Sequence, residues 1–175
     1  MCGQSQTTLS LISRRRLESA VQGATATQGG SKPHGETNTR ECLAIYPAQH
    51  IRGDDVVYLI EHIILQRGKP TRIKADNGLE FISIAPDRWA YDNQVVFYFS
   101  RPGKPTGNAF IESYNGSLRD ECLNVHWFMS LEDAQEKLEN WRQDYNCFRP
   151  HLSLRDLPPV VFAKSLLVQP HRTIF

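Results

Sequence analysis

No apolar run in this sequence approaches the ~20 residues that a membrane-crossing helix needs, so a helical span is excluded. Three arginines stand at 14 to 16, but no 7–15-residue apolar stretch follows them, and a secretory leader requires one. The four cysteines, Cys2, Cys42, Cys122 and Cys147, are far apart and form no CxxC pair. That argues against a zinc site and against a disulfide framework, and it suits a reducing, cytoplasmic setting. Strong charge of either sign is also absent. The net charge is +1, and residues 1–36 hold four Lys/Arg against two Glu, which leaves −1 for the rest. Nucleic-acid binding, if any, must come from local patches rather than from bulk charge. No internal repeat is present. What remains is 175 residues with 40% hydrophobic and 22% charged side chains, enough for one domain with a tail.

The first 36 residues are rich in Gly, Ser, Thr and Gln and hold no periodicity for long, so a poorly ordered head is expected over 1–36. From there "RECLAIYPA" reads as a strand. "RGDDVVYLIEHIILQRGKP" reads as a helix with Asp54 as N-cap, Val57, Ile60 and Ile64 as its apolar stripe, and Gly68 and Pro70 as its stop. "TRIKA" is a short strand ending just before Asp76. "APDRWAYDNQ" predicts a short helix, and "VVFYFS" a strand. "RPGKPTGN" must be an irregular loop. In "AFIESYNGSLRDECL", Phe110, Tyr114, Leu118 and Cys122 recur every fourth residue, while Glu112, Asn115 and Arg119 fall on another, polar face. "SLEDAQEKLENWRQDYN" opens with Ser130 and Asp133 in a capping-box-like arrangement, and Ala134, Leu138, Trp141 and Tyr145 form its core stripe. "RPHLSLRDLPPVVFA" predicts an extended arm. Strands alternating with helices, followed by two long helices, predict an α/β domain.

Two acids carry chemical interest. Asp76 follows a strand, where open α/β sheets place ligand-binding groups, and Glu112 lies on a polar helix face. Thirty-five residues separate them. Carboxylates converging from a strand end and a helix suit Mg²⁺ or Mn²⁺, and such ions can clamp the oxygens of a phosphodiester. The plain reading stands beside this one: Asp-Asn-Gly is a common turn, and an outward Glu on a helix needs no explanation. Asn77 and Gly78 shape that turn. His62 suits a helix surface. Trp89, Trp127 and Trp141 suit core or interface positions, and Cys42 and Cys122 suit buried small residues.

"DNGLEF", "FSRPGKPTGNAFIESYNGSLRDECL" and "YNCFRPHLSL", in this order and spacing, resemble the catalytic core of bacterial DDE transposases of the insertion-sequence-three family, relatives of retroviral integrases. The resemblance runs from Thr39 to about Ala163. It implies a ribonuclease-H-like α/β fold, and a DNA transposition and integration activity by phosphodiester hydrolysis and strand transfer. It makes Asp76 and Glu112 the second and third members of an Asp-Asp-Glu triad that ligates divalent ions, usually Mg²⁺. DNA at transposon ends and targets would be the partner. Candidate DNA-contacting residues are Arg101, Lys104, Asn115, Arg119, Arg149 and His151. A solvated loop (Arg101, Lys104) or a structural clamp (Arg149, His151) is the bland alternative.

The first acid of that triad has no counterpart. Before Arg40 the only acids are Glu18 and Glu36, and there is no aspartate. The expectation is a head foreign to the family over 1–36, a partial core over 37–163 lacking its first strands, and a tail over 164–175. Such a chain is expected to hold Mg²⁺ or Mn²⁺ weakly and to be inactive alone. Its rival role is a non-catalytic DNA-binding or oligomerising module that joins an intact transposase and inhibits it. A bacterial cytoplasmic, nucleoid-associated location follows from the same resemblance. Gln94 and Arg155 stand where relatives commonly carry glycine.

Overall fold

The computed structural model describes residues 6–11, 24–27, 39–48, 50–75, 78–99 and 109–167, and for 6–11, 24–27, 109–111 and 167 the backbone alone. The elements are β1 (Gln6–Leu11), β2 (Ala24–Thr27), α1 (Gly53–Arg67), β3 (Arg72–Ala75), α2 (Ile84–Asn93), β4 (Val96–Phe99), α3 (Ala109–Leu118), α4 (Leu131–Cys147) and α5 (Pro159–Leu167). A π-helical turn, Arg119–Leu123, extends α3, and a 3₁₀ turn, Leu152–Leu154, precedes α5.

The strands form one sheet in the order β2-β1-β3-β4. β2 is antiparallel to β1, while β1, β3 and β4 run parallel. The expectation that the first strands are missing is therefore corrected, and so is that of a poorly ordered head at 6–11 and 24–27. "QTTLSL" and "ATAT" are short runs rich in Thr and Leu. They carry enough β-branched character for a strand beside an existing one, although they share no motif with the family.

Two apolar clusters hold the described residues together. In one, Val56, Leu59, Ile60 and Ile63 of α1 pack on Ile73 and Ala75 of β3, with Phe81, Trp89, Ala90, Val95 and Leu43. The buried stripe of α1 is thus turned by one residue from the expected one, and Val57 and Ile64 lie at its margin. The N-cap is Arg52, not Asp54. Its N–H donates to Asp55 Oδ2 at 2.8 Å. Helix α1 begins hard against α2: a Cβ at Gly53 would stand 2.0 Å from Ser83 Oγ. Gly68 ends it at φ 83, a conformation glycine adopts at no steric cost.

In the second cluster Leu118 and Cys122 pack on Leu138 and Tyr145 of α4, together with Cys42 and Ile45. Ser130 caps α4 by accepting from Asp133 N–H at 3.1 Å, as the capping pattern predicts.

The segment 41–46 joins the clusters. It was expected to be a strand, but among the described residues it joins no strand of the sheet. It is extended, and its Cys42 and Ile45 face α3 and α4 while Leu43 faces α1. Side chains of α4 stand in for a strand partner. Asn146 accepts from Cys42 N–H at 2.8 Å and donates to Cys42 O at 2.7 Å. Arg142 donates to the same carbonyl at 2.8 Å, and Gln135 reaches Ile45 O at 3.4 Å. Buried backbone groups must be paired somewhere, and here the amides and guanidinium of a helix do it. The expected extended arm at the C-terminus is also corrected. "PVVFAKSLL" is helical, because Pro159 sits at a first helical position, where its missing N–H is harmless. Helix α5 reaches Leu167, past the expected boundary at 163.

Candidate active site

Register places the site. Leu11, Ala75 and Phe99 are level with one another across the three parallel strands, and each is the last residue of its strand. The sheet therefore has one end at which all three parallel strands finish, the end where open α/β sheets take their ligands. Asp76 is the residue after Ala75, and Arg101 and Lys104 follow Phe99 by two and five residues. Asp76, Asn77, Arg101 and Lys104 themselves lie outside the described residues.

Helix α3, which begins at Ala109, presents Glu112. One face of α3 and its π-helical turn is spent on packing: Leu118 is 2% exposed and Cys122 is fully buried. The helical period then turns Glu112 and Arg119 outward, and both are exposed. Asn115, about one turn beyond Glu112, is half-buried. Its Oδ1 is buried and accepts no hydrogen bond. A buried carbonyl oxygen without a donor costs about 1–3 kcal/mol, so this amide is a candidate for pairing with a ligand.

The back of α3 is held by an aromatic stack. Tyr114 meets Trp141 and Tyr145 edge-on at 5.5 and 5.1 Å, and its hydroxyl lies 2.8 Å from Cys42 Sγ. Burial drives the Tyr114 hydroxyl well above its ordinary pKa, and Cys42 adds to this. Trp141 stacks on Tyr145 at 5.2 Å, and Tyr145 meets His151 at 5.1 Å. Burial pushes Tyr145 up to about 12.

Arg149 closes this stack. Its guanidinium lies 5.7 Å from the Tyr145 ring centre and grips Glu121 with two hydrogen bonds of 2.6 and 2.5 Å, while Trp141 Nε1 donates to Glu121 at 3.1 Å. Burial raises the Glu121 carboxyl, but the bonds from Arg149 and Trp141 outweigh it, and the net shift is downward. His151 is pushed below its ordinary value by burial first, then by the charges of Arg40 and Arg149. Its Nε2 is buried and makes no hydrogen bond. The structure thus groups Glu112, Asn115 and Arg119 on one helix, and it groups Arg149 and His151 on Tyr145. Glu121 and Tyr145, which anchor the second group, were not singled out as partners from sequence. The nine-residue step from Glu112 to Glu121 gave no hint, because the π-helical turn alters the helical phase between them.

Comparison with known proteins agrees with this layout. Residues 36–105 match one integrase core domain model, and residues 93–159 match a second, so together they take in the ends of β3 and β4 and the α3–α4 pair, but not β1. Residues 36–159 are thus similar to integrase core domains. An insertion element IS476 protein of 39.2 kDa from Xanthomonas euvesicatoria, uncharacterized, is 43% identical over 131 residues, which is 75% of this chain and 38% of the relative. An uncharacterized 31.7 kDa protein of insertion element IS407 from Burkholderia multivorans is 46% identical over 125 residues, 71% of this chain and 45% of the relative. The chain spans less than half the length of both relatives. Among solved structures, the catalytic core domain of BIV integrase superposes with a TM-score of 0.61 at 14% identity, over 91% of this chain and 95% of that one. The HTLV-2 integrase catalytic core domain, solved in complex with magnesium in a trimeric form, gives 0.56 at 12% identity, over 89% and 93%. The fold is that of the integrase catalytic cores, ribonuclease-H-like.

Of the two expected metal ligands, Glu112 lies among the described residues and Asp76 does not. Among the described residues no group of three or more His, Cys, Asp or Glu could hold a metal ion. The strand beside β3 offers Gln, Thr, Ser and Leu and no carboxylate. No helix among the described residues is long and apolar enough to cross a membrane.

Proposed function

We propose that this chain is the catalytic-core part of an insertion-element transposase of the insertion-sequence-three group, a DNA-acting protein whose own chemistry is impaired. The observation that carries the reading is the shared level of the β1, β3 and β4 ends. It supports a single DNA-facing end, which Asp76 and residues 101–108 directly follow in sequence, with the Glu112 face of α3 next along the chain. On this reading Arg101, Lys104, Asn115 and Arg119 contact the DNA backbone, the role that Lys, Arg and Asn side chains most often play on a duplex. Arg149 and His151 support α3 from behind, and contact DNA only at their margin. Divalent ions, Mg²⁺ or Mn²⁺, are the family's partners in phosphodiester chemistry. Asp76 and Glu112 are the two residues here that could ligate one, and a two-ion clamp has too few carboxylates.

The test is fluorescence anisotropy with a duplex carrying an insertion-element end, followed by a nicking assay on the same DNA with Mn²⁺. Binding is expected to weaken with salt, and Arg119→Ala is expected to reduce the salt slope by about one unit. No 3′ nick is expected. Absence of DNA binding at low salt would defeat the reading as a DNA-acting core. Nicking that disappears in Glu112→Gln would defeat its impairment.

The acid-free β1 favours a second reading, in which the chain binds DNA or an intact transposase without cutting and so inhibits transposition. Co-expression with an intact relative then lowers its transposition frequency, and an unchanged frequency disposes of that role.

A further inference from the structure

We propose that the open face of the sheet along β3 and β4 is a platform for single-stranded DNA. Ile73 and Ala75 of β3 are buried in the cluster built on α1, and Phe97 of β4 packs on the same cluster. Alternate residues of a strand point to opposite faces, so Arg72, Lys74, Val96 and Tyr98 lie on the other face. Register sets them in two level pairs, Arg72 beside Val96 and Lys74 beside Tyr98. That face is open to solvent: Val96 is 51% and Tyr98 50% exposed, Arg72 is exposed and Lys74 half-buried. The buried members of the α3–α4 cluster include no residue of β3 or β4. The Arg72 guanidinium lies 5.5 Å from the Tyr98 ring centre, and among the described residues it forms no ion pair. None of the three parallel strands carries an acid. In a chain of net charge +1 this is a local patch of positive charge interleaved with an aromatic ring.

Each part of the patch has its counterpart in an unpaired strand. Cations track the phosphates, while aromatic rings and guanidinium planes stack on bases. Arg72 and Tyr98 already rest on each other, so little side-chain freedom is lost when a base settles on them. A duplex keeps its base faces stacked inside and offers such a surface only phosphates. A single strand engages both the charge and the ring, and that favours it as the occupant. The choice of DNA rests on the proposed function, but the patch shares no residue with the duplex contacts proposed there.

The test is fluorescence anisotropy of the full chain with a labelled oligo-dT of about 12 nucleotides, within the range that such platforms cover, at low salt and without divalent metal. The unmodified chain is expected to bind it at least about fivefold more tightly than an abasic strand of the same length, since loss of one stacked base costs that much or more. Equal affinity for the two strands means charge alone and overturns the inference with no variant needed. Absence of oligo-dT binding overturns it as well. Tyr98→Ala is expected to weaken oligo-dT binding by at least about fivefold and to leave the abasic strand unaffected. Tyr98→Phe keeps the ring and is expected to retain the affinity. Arg72→Ala is expected to lower the salt slope by roughly 0.7, the value for one phosphate contact on a single strand. A Tyr98→Ala chain that is folded by circular dichroism and binds oligo-dT unchanged overturns the platform. So does poly-glutamate that displaces the probe as well as unlabelled oligo-dT does, because an acidic protein segment is then the fitting occupant. The insertion-element duplex keeps the two readings apart. A chain that binds the duplex but not oligo-dT loses the platform alone, and one that binds oligo-dT but not the duplex keeps the platform and loses the duplex contacts.

Discussion

The two halves of the molecule are held by different means. In the sheet half, α1, α2 and β3 meet through aliphatic and aromatic side chains, with Val56, Ile60 and Ile73 all 0% exposed. In the helical half, α3 and α4 enclose an apolar centre of Leu118, Cys122 and Leu138. Around it runs a polar frame of Asn146, Arg142, Glu121, Arg149 and the Tyr114 hydroxyl. The sheet half is held by burial, which is non-directional and tolerates a substituted strand. The helical half is held by directional bonds, which specify one arrangement. The extended segment 41–46 belongs to both halves, and through it a disturbance on one side reaches the other.

The largest effect separating the halves is expected from cavities. Ile60→Ala and Leu138→Ala each remove a fully buried side chain, and each is expected to cost about 2–5 kcal/mol. Hydrogen exchange should tell them apart. Ile60→Ala is expected to speed exchange in β3 and α1 first, and Leu138→Ala in α3 and α4. Equal acceleration everywhere in both variants would mean one cooperative unit, with no energetic distinction between the halves.

A medium effect is expected at two strained backbone positions, one in each half. Gln94, which ends α2 before β4, has φ 54, and Arg155, after the 3₁₀ turn, has φ 60. An L-residue in this region costs about 1–2 kcal/mol relative to its right-handed form, whereas glycine meets no such barrier. Gln94→Gly and Arg155→Gly are each expected to stabilise by about 1 kcal/mol, less whatever the freer unfolded chain takes back. Additivity in the double variant would support independence of the sites, as distant positions usually show. Destabilisation by Gln94→Gly would indicate that its side chain carries a contact outweighing the strain.

These two residues also show what was legible. The resemblance led glycine to be expected at both, and positive φ is the physical reason a glycine suits them. Helices α3 and α4 were legible because each buries a stripe at helical spacing and the second starts with a capping serine. β3 and β4 were legible because short β-branched runs end at turn signals. β1 and β2 were not, since four to six residues of Thr, Ser, Ala and Leu become a strand only beside a partner, and pairing is a tertiary fact. Segment 41–46 has strand composition, yet Asn146 and Arg142 take its backbone bonds from a helix 100 residues away in sequence, and no local pattern shows that. Glu112 was readable as an outward acid. The Glu121–Arg149 grip behind it was not, because a π-helical turn breaks the period that sequence reading relies on.

The smallest expected effect is a pH dependence confined to the helical half. His151 faces the Tyr145 ring and the charges of Arg40 and Arg149, and its pKa lies below the ordinary 6.5. The unfolded chain therefore takes up this proton first as pH falls. The stabilisation is fully present above pH 6.5 and is lost progressively below it, toward the depressed folded value. Glu121 acts in a lower window. Its carboxyl is held below the ordinary 4.5, so its contribution is present above that value and fades as pH falls further. Because the Glu121–Arg149 pair is more than a third exposed, its share is expected to be no more than about 1 kcal/mol. Urea titrations at pH 7.5, 5.5 and 3.5 separate the windows. His151→Phe keeps a ring against Tyr145 and is expected to abolish the loss between pH 7.5 and 5.5 while leaving the loss toward pH 3.5 in place. If the upper step survives in that variant, the titrating group lies elsewhere, and the clamp behind α3 is not where the helical half senses protons.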